Sequence, residues 1–397
     1  MYYKIAMVSL LTALFISCSG NRSGKSEEQR SSQDDVTAVK GDANELFLLV
    51  GTYTSDEGSK GIYLYRFNTG TGLSDSVSMA EVNNPSYLTL SPDEKFVYTV
   101  GENDEGGSAA HAFSLDKASG SLTPVNSSPT NGGGPCYITI DSSGRNVHTA
   151  NYGGGSISSF QVNSDGSLTR ATSVISFKGS GADSVRQAGP HLHSVRYSPD
   201  GLFLFASDLG TDKLYRFTVN DSPFEGQPAI LESSLKEFIT PAGTGPRHFD
   251  FHPDGGRYLY LLGELSGEVI VYDYHFGELV QKQVIPADSV GARGSADIHV
   301  SPDGRFLYAS NRLQADGIAI FSINPDDGTL TKVGYQLTAR HPRNFIITPN
   351  GRYLLAAGRD DNKIQVFAID GETGLLTDTN EDIEISKPVC LKFAQMS

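Results

Sequence analysis

A chain of 397 residues can hold one large domain or two to three ordinary ones. It has 43 Gly, 18 Tyr and 20 Phe but no Trp, a composition suited to many short strands and many turns. Thirty-one Lys and Arg against 46 Asp and Glu leave a net charge of −15, a surface that repels nucleic acid and anionic membranes.

The first predicted element is a leader. Lys4 precedes an apolar run from Ile5 to Ile16, too short to span a bilayer and suited to a signal sequence. Leu14-Phe15-Ile16-Ser17-Cys18 resembles a bacterial lipobox. Residues 1–18 are therefore predicted to be a lipoprotein signal peptide with Cys18 as the lipidation site. Membrane contact is expected only through that anchor, and the location is extracytoplasmic, facing the periplasm or cell envelope. Residues 19–45 are Ser-, Gly- and charge-rich and read as a flexible tether.

Residues 46–397 repeat themselves. An alternating apolar strand followed by a turn recurs near Pro85, Pro135, His193, His248, Asp297, Asn344 and Pro388. Most copies run into Ser-Pro-Asp-Gly or a close variant. A second apolar strand follows each turn and ends near Glu102, Asn151, Asp208, Glu264, Asn311 and Gly358. An orphan copy, Phe47 to Tyr53, stands at the start. These ends are 47 to 57 residues apart. A third strand recurs, as in Gly61–Phe67, Lys213–Phe217 and Lys363–Phe367. A period near 50 built from short strands predicts an all-β fold, a seven-bladed β-propeller. The chain opens on an orphan second strand and closes on an orphan first strand. Their pairing would close the ring without a free edge. The lack of Trp argues against WD repeats.

The turn joins first and second strands as a hairpin. Starts of first strands and ends of second strands then meet at one channel mouth. The first set supplies Tyr87, Tyr137, His191, His193, Arg247, His248, Asp297, His299, Arg343 and Asn344. The second supplies Glu102, Asn103, Asn151, Tyr152, Asp208, Glu264, Asn311, Arg312 and Arg359. Histidines, arginines and carboxylates converging at the ends of apolar strands point to a site.

Gly189-Pro190-His191-Leu192-His193-Ser194, Gly243-Thr244-Gly245-Pro246-Arg247-His248, Gly263-Glu264-Leu265, Ala296-Asp297-Ile298-His299 and Ser310-Asn311-Arg312 resemble motifs of the lactonase propellers. That family includes bacterial 6-phosphogluconolactonase and carboxymuconate cyclase. The resemblance spans about residues 46–395 and implies hydrolysis of a sugar lactone, 6-phosphogluconolactone in the typical case. By motif position it places the family's catalytic His, Glu and Arg on His193, Glu264 and Arg312. His191 competes for the His position. His191, Arg247, His248, Asp297, His299 and Arg343 are the candidate substrate-binding residues.

On chemical grounds, Glu264 or His193 would activate water and Arg312 would stabilise the oxyanion. Arg247 and Arg343 would bind an anionic or hydroxyl-rich substrate. No organic cofactor and no metal is expected. Cys136 and Cys390 read as small buried apolar side chains, a disulfide between them being the alternative. A monomer acting on a small-molecule lactone is the expected assembly. Two further readings stay open. One is a Ca²⁺-dependent sugar lactonase using Glu102, Asn103, Asn151, Asp208, Glu264 and Asn311 as oxygen ligands. The other is a non-catalytic propeller that binds a glycan, metabolite or protein.

Overall fold

The computed structural model describes residues 44–104, 106–220 and 227–396. The predicted signal peptide, Cys18 and the predicted tether up to residue 43 lie outside the described residues. The rest forms seven antiparallel sheets. The one helical piece among the described residues is a short 3-10 turn, Arg359–Asp361.

Seven inner strands line the axis: Leu88–Leu90, Pro135–Ile140, Leu192–Tyr197, Pro246–Phe251, Ser295–Val300, Pro342–Ile347 and Pro388–Gln395. Each touches the next, and the last touches the first, so the ring is closed. Closure works as the orphan strands predict. Glu45–Thr52 pairs antiparallel with Pro388–Gln395, from Leu46 opposite Gln395 to Thr52 opposite Pro388. The two ends of the domain thus share one blade and leave no inner edge unpaired.

Each inner hairpin is fixed by its turn chemistry. Ser198 Oγ donates to Asp200 Oδ1 at 2.5 Å and accepts from the Phe203 amide at 3.0 Å. Ser301 repeats this with Asp303 and Phe306 at 2.6 and 2.9 Å. The residue after the Asp adopts left-handed backbone, φ +72° at Gly201 and +74° at Gly304, which glycine reaches at least cost.

Second strands are buried along nearly their whole length. Tyr258–Gly263, Phe306–Asn311 and Tyr353–Gly358 have no exposed residue. Their large side chains fill the space between blades. Phe205, Phe249, Phe251 and Tyr272 form one such layer, and Tyr308, Phe345 and Phe367 another. Burying each such ring is worth roughly 1.5–3 kcal/mol. Blades also carry a fourth, outer strand that the sequence pattern does not announce. Ile230–Ile239 reads ILESSLKEFI and is mostly exposed. Cys136 and Cys390 are both buried and free, so the disulfide alternative is not realised.

Candidate active site

Six of the seven inner strands carry a β-bulge at the same place, their second residue. A bulged residue escapes the ladder, and its side chain is re-aimed. The bulged residues are Cys136, His193, Arg247, Ala296, Arg343 and Val389. Ser86 holds the equivalent place before Leu88–Leu90. Four of these strands open with proline, which can lack an amide donor at a strand start. Ser86, Cys136, His193, Arg247, Arg343 and Val389 line one small cavity together with Tyr87, His248 and Asn344. The recurring bulge therefore turns a repeat of strands into a ring of converging side chains.

A second ring follows the ends of the second strands: Tyr53, Glu102, Tyr152, Leu209, Glu264, Arg312 and Arg359. Glu264 is its hub. Its Oε2 accepts from Arg247 Nε at 2.9 Å and lies 3.2 Å from Arg312 Nη2. Its Oε1 accepts from Arg186 Nη2 at 2.7 Å. Arg312 is spent on protein groups: Nε donates to Gly294 O at 2.8 Å, Nη2 to Ser295 O at 3.4 Å and Nη1 to His341 Nε2 at 3.3 Å. Arg343 differs. It lies 3.6 Å from Glu102 and 5.5 Å over the Tyr53 ring, and donates no hydrogen bond among the described residues.

Electrostatics follow from this packing. Burial opposes the charge of Glu264, but Arg312, Arg247 and Arg186 together outweigh it and hold the carboxyl at about 2. Burial pushes Arg312 down to about 9. Burial first, then Arg247, His248 and Arg343, push His193 well below the ordinary imidazole value. His248 is pushed to about 3 by burial and Arg247, against the pull of Asp297. Both imidazoles are neutral at pH 7.

The predicted residues divide into three levels. His193, Arg247, Arg343, Glu264 and Arg312 meet at the mouth: Arg247 touches Glu264 and lines the same cavity as His193. His191 stands further out, stacked on Tyr152 at 4.4 Å with Nδ1 against Tyr152 O at 2.9 Å. One residue deeper along the inner strands lie His248 and Asp297, joined Nδ1 to Oδ1 at 2.7 Å. Asp297 also receives His299 Nε2 at 3.0 Å, the Phe345 amide at 3.3 Å and the Asn344 amide group. It ties three blades together, and its oxygens are occupied by protein donors. Burial opposes the charge of His299, but Asp297 and Asp250 outweigh it and raise it to about 9.

Several other members of the predicted rings serve the fold. Asp208 accepts from the His191 and Gly210 amides at 2.7 and 2.9 Å and from Thr211 at 2.7 Å. Asn151 donates to Ser156 and Ser158, and Asn311 joins Ser295 to Ala287 O. With Glu264 held by three guanidinium groups, this set presents no ring of free oxygens to Ca²⁺. Arg359 turns away onto Asp360 at 2.7 Å.

Arg186, Tyr53 and His341 belong to the site but not to the predicted rings. Arg186 comes from the long segment between Ser173–Ser176 and Leu192–Tyr197. The sequence signal for it is the 57-residue interval there, against 47 to 50 in most of the other blades.

The family described as "Lactonase, 7-bladed beta-propeller" matches residues 47–393. A 6-phosphogluconolactonase of Formosa agariphila is 37% identical over 345 residues, covering 85% of this chain and 97% of that protein. The Bacillus subtilis 6-phosphogluconolactonase is 36% identical, covering 87% and 97%. Among solved structures, a candidate 6-phosphogluconolactonase from Bacteroides fragilis superposes with a TM-score of 0.86 at 52% identity, covering 89% and 99%. The Pseudomonas aeruginosa periplasmic gluconolactonase superposes with a TM-score of 0.82 at 33% identity, covering 89% and 100%. A closed ring of seven sheets, a mouth built from the motif residues and a family match across the whole ring lead to one assignment: the chain belongs to the lactonase family of seven-bladed β-propellers.

Proposed function

We propose that this protein hydrolyses an anionic aldonolactone, with 6-phosphogluconolactone as the first substrate to test, at the mouth formed by His193, Arg247, Glu264, Arg312 and Arg343. The observation that carries this reading is the charge balance. Among the described residues Arg186, Arg247, Arg312 and Arg343 form ion pairs only with Glu264 and Glu102, four cations against two anions at the mouth of a chain whose net charge is −15. Arg343, with its donors unspent, is the natural receiver of a phosphate or carboxylate. Arg247 adds the field that stabilises an oxyanion as water adds to the lactone carbonyl.

Glu264 is too acidic to act as the base. Its role in this reading is to hold Arg186, Arg247 and Arg312 in place, and the proton acceptor is one of the two neutral imidazoles, His193 or His248. The leader supports a companion proposal that the enzyme works outside the cytoplasm, anchored through Cys18. Assay of the purified protein on gluconolactone with and without a 6-phosphate tests the activity. Turnover of the phosphorylated lactone with lower KM is expected, and no turnover of any aldonolactone overturns the reading. Labelling with a radioactive fatty acid, lost in Cys18→Ala, tests the anchor.

A further inference from the structure

Two polar atoms in the molecule are buried and lack a hydrogen-bond partner among the described residues, yet line the same cavity. They are Ser86 Oγ and His248 Nε2. Ser86 is 2% exposed and His248 4%. They come from the second and fifth blades and share the wall of one cavity. The cavity between them has room for about one water molecule, and its wall includes His193, Arg247 and Arg343.

The other ring nitrogen of His248 is fixed. Nδ1 lies 2.7 Å from Asp297 Oδ1, and Asp297 is held in turn by His299, Asn344 and the Phe345 amide. A neutral imidazole whose Nδ1–H donates to a carboxylate must present Nε2 as a lone pair. Edge-on contacts from Tyr87, Tyr137 and His193 at 5.9, 5.3 and 5.2 Å keep the ring from turning. A water donating to Nε2 and bonded to Ser86 would lie beside the guanidinium groups that receive the lactone. His193 has no such arrangement, because its Nδ1 faces Cys136 Sγ at 3.7 Å and no carboxylate orients it.

We propose that His248, oriented by Asp297, is the general base of the reaction, and that Ser86 and His248 together hold the attacking water. This rests on the lactonase reading above and assigns the group that reading leaves open. As the water oxygen bonds to the lactone carbonyl carbon, its proton passes to His248 Nε2. Collapse of the tetrahedral intermediate breaks the bond to the ring oxygen, which takes the proton back from Nε2–H as it becomes a hydroxyl. Collapse leaves the neutral hydroxy acid, whose remaining water-derived proton is lost to solvent at neutral pH to give the carboxylate. Burial first, then Arg247 and Arg343, oppose protonation of His248 in the free enzyme. A bound anion offsets both arginines, which brings the imidazole toward a working range only when substrate is in place.

The test uses the full-length protein with Ser86→Ala, His248→Gln and His193→Gln. Expected for His248→Gln is a fall in kcat of about 100- to 1000-fold with KM within about threefold, and loss of the acid limb of the kcat profile. That limb reports His248 among its charged and titratable neighbours Arg247, Arg343, Asp297, His193, Tyr87 and Tyr137. Ser86→Ala is expected to lower kcat about tenfold with unchanged folding, and His193→Gln to act mainly on KM. A high-resolution crystal structure should show a water within hydrogen-bond distance of both Ser86 Oγ and His248 Nε2, displaced in Ser86→Ala. An active wild type whose kcat and pH profile survive His248→Gln overturns the assignment while leaving the lactonase reading standing. A wild type inactive on every lactone defeats that reading instead, and the crystallographic water then decides the site alone: its absence overturns the proposal.

Discussion

Replacing Glu264 by Gln removes the charge that three guanidinium groups share, and the structure sets the size of the effect. The carboxyl is buried and sits at about 2 in place of 4.5. That difference corresponds to about 3 kcal/mol of folding stability at neutral pH. Breaking a buried ion pair by removing one partner costs a similar 3–5 kcal/mol or so. For a domain of this size the melting temperature should drop by about 4–5 °C at pH 7. The sign of the pH dependence follows from the lowered value. The contribution is complete above the unfolded-state value and is lost as pH falls toward the folded one. At pH 3 less than half of it should remain. Denaturant unfolding of both proteins at pH 7 and pH 3, under reversible conditions, measures this directly. The same variant should lose about 100-fold in kcat, because Arg247 and Arg312 lose their common anchor. A stability gap equally large at both pH values, or absent at pH 7, would refute Glu264 as the electrostatic hub.

Arg343→Gln should raise KM for a phosphorylated lactone about 10- to 100-fold with little change in kcat, and should weaken the salt dependence of KM; an unchanged KM places the anion elsewhere. Gly201→Ala should destabilise by about 1–2 kcal/mol through backbone strain alone, since its Cβ meets nothing within 4 Å. Gly304→Ala should cost more, because its Cβ would lie 2.7 Å from the His252 ring. Burial pushes the Cys136 and Cys390 thiols up to about 12 and 11, so neither should react with a thiol reagent until the protein is unfolded. Ending the chain before Pro388 should abolish cooperative unfolding, because Glu45–Thr52 would lose its inner neighbour along its whole length.

The fold was legible because its repeat is carried by buried strands. The Ser-Pro-Asp-Gly turns and the half-blade offset at the two ends supply number, order and closure without any long-range information. The outer strands escaped notice for the opposite reason. Ile230–Ile239 and Glu278–Pro286 are largely solvated, so no apolar alternation marks them. At the site, His193, Arg247, Glu264, Arg312 and Arg343 were readable as strand-end residues that break an apolar pattern. The division of labour among them was not. That Asp208 and Asn151 cap their own loops depends on loop conformation within a blade, and that Asp297 binds three blades depends on neighbours from other repeats. Arg186 lies in an irregular segment where no period applies. The bulge is written in the alignment of Pro85-Ser86, Pro135-Cys136, Pro246-Arg247, Pro342-Arg343 and Pro388-Val389. It needed the paired registers to become visible.

The mouth also shows why a functional site need not follow the rules of the core around it. A buried guanidinium is tolerated when a carboxylate meets it, and Glu264 does this for Arg247 and Arg312 while also pairing with the part-exposed Arg186. One carboxylate cannot neutralise three cations, and Glu102 stands too far from Arg343 for a hydrogen bond. The protein therefore carries an electrostatic cost at this point that packing does not relieve. The same sequence could have supplied acids here, since it has 46 of them. Instead Arg247, Arg312 and Arg343 gather where the seven inner strands, six of them bulged, converge. A cost left standing at a single position in an otherwise consistent fold is relieved when an anion binds. Binding then does two things with one contact. In the proposed mechanism it offsets Arg247 and Arg343, and in doing so it lessens the part of the opposition to protonation of His248 that adds to burial.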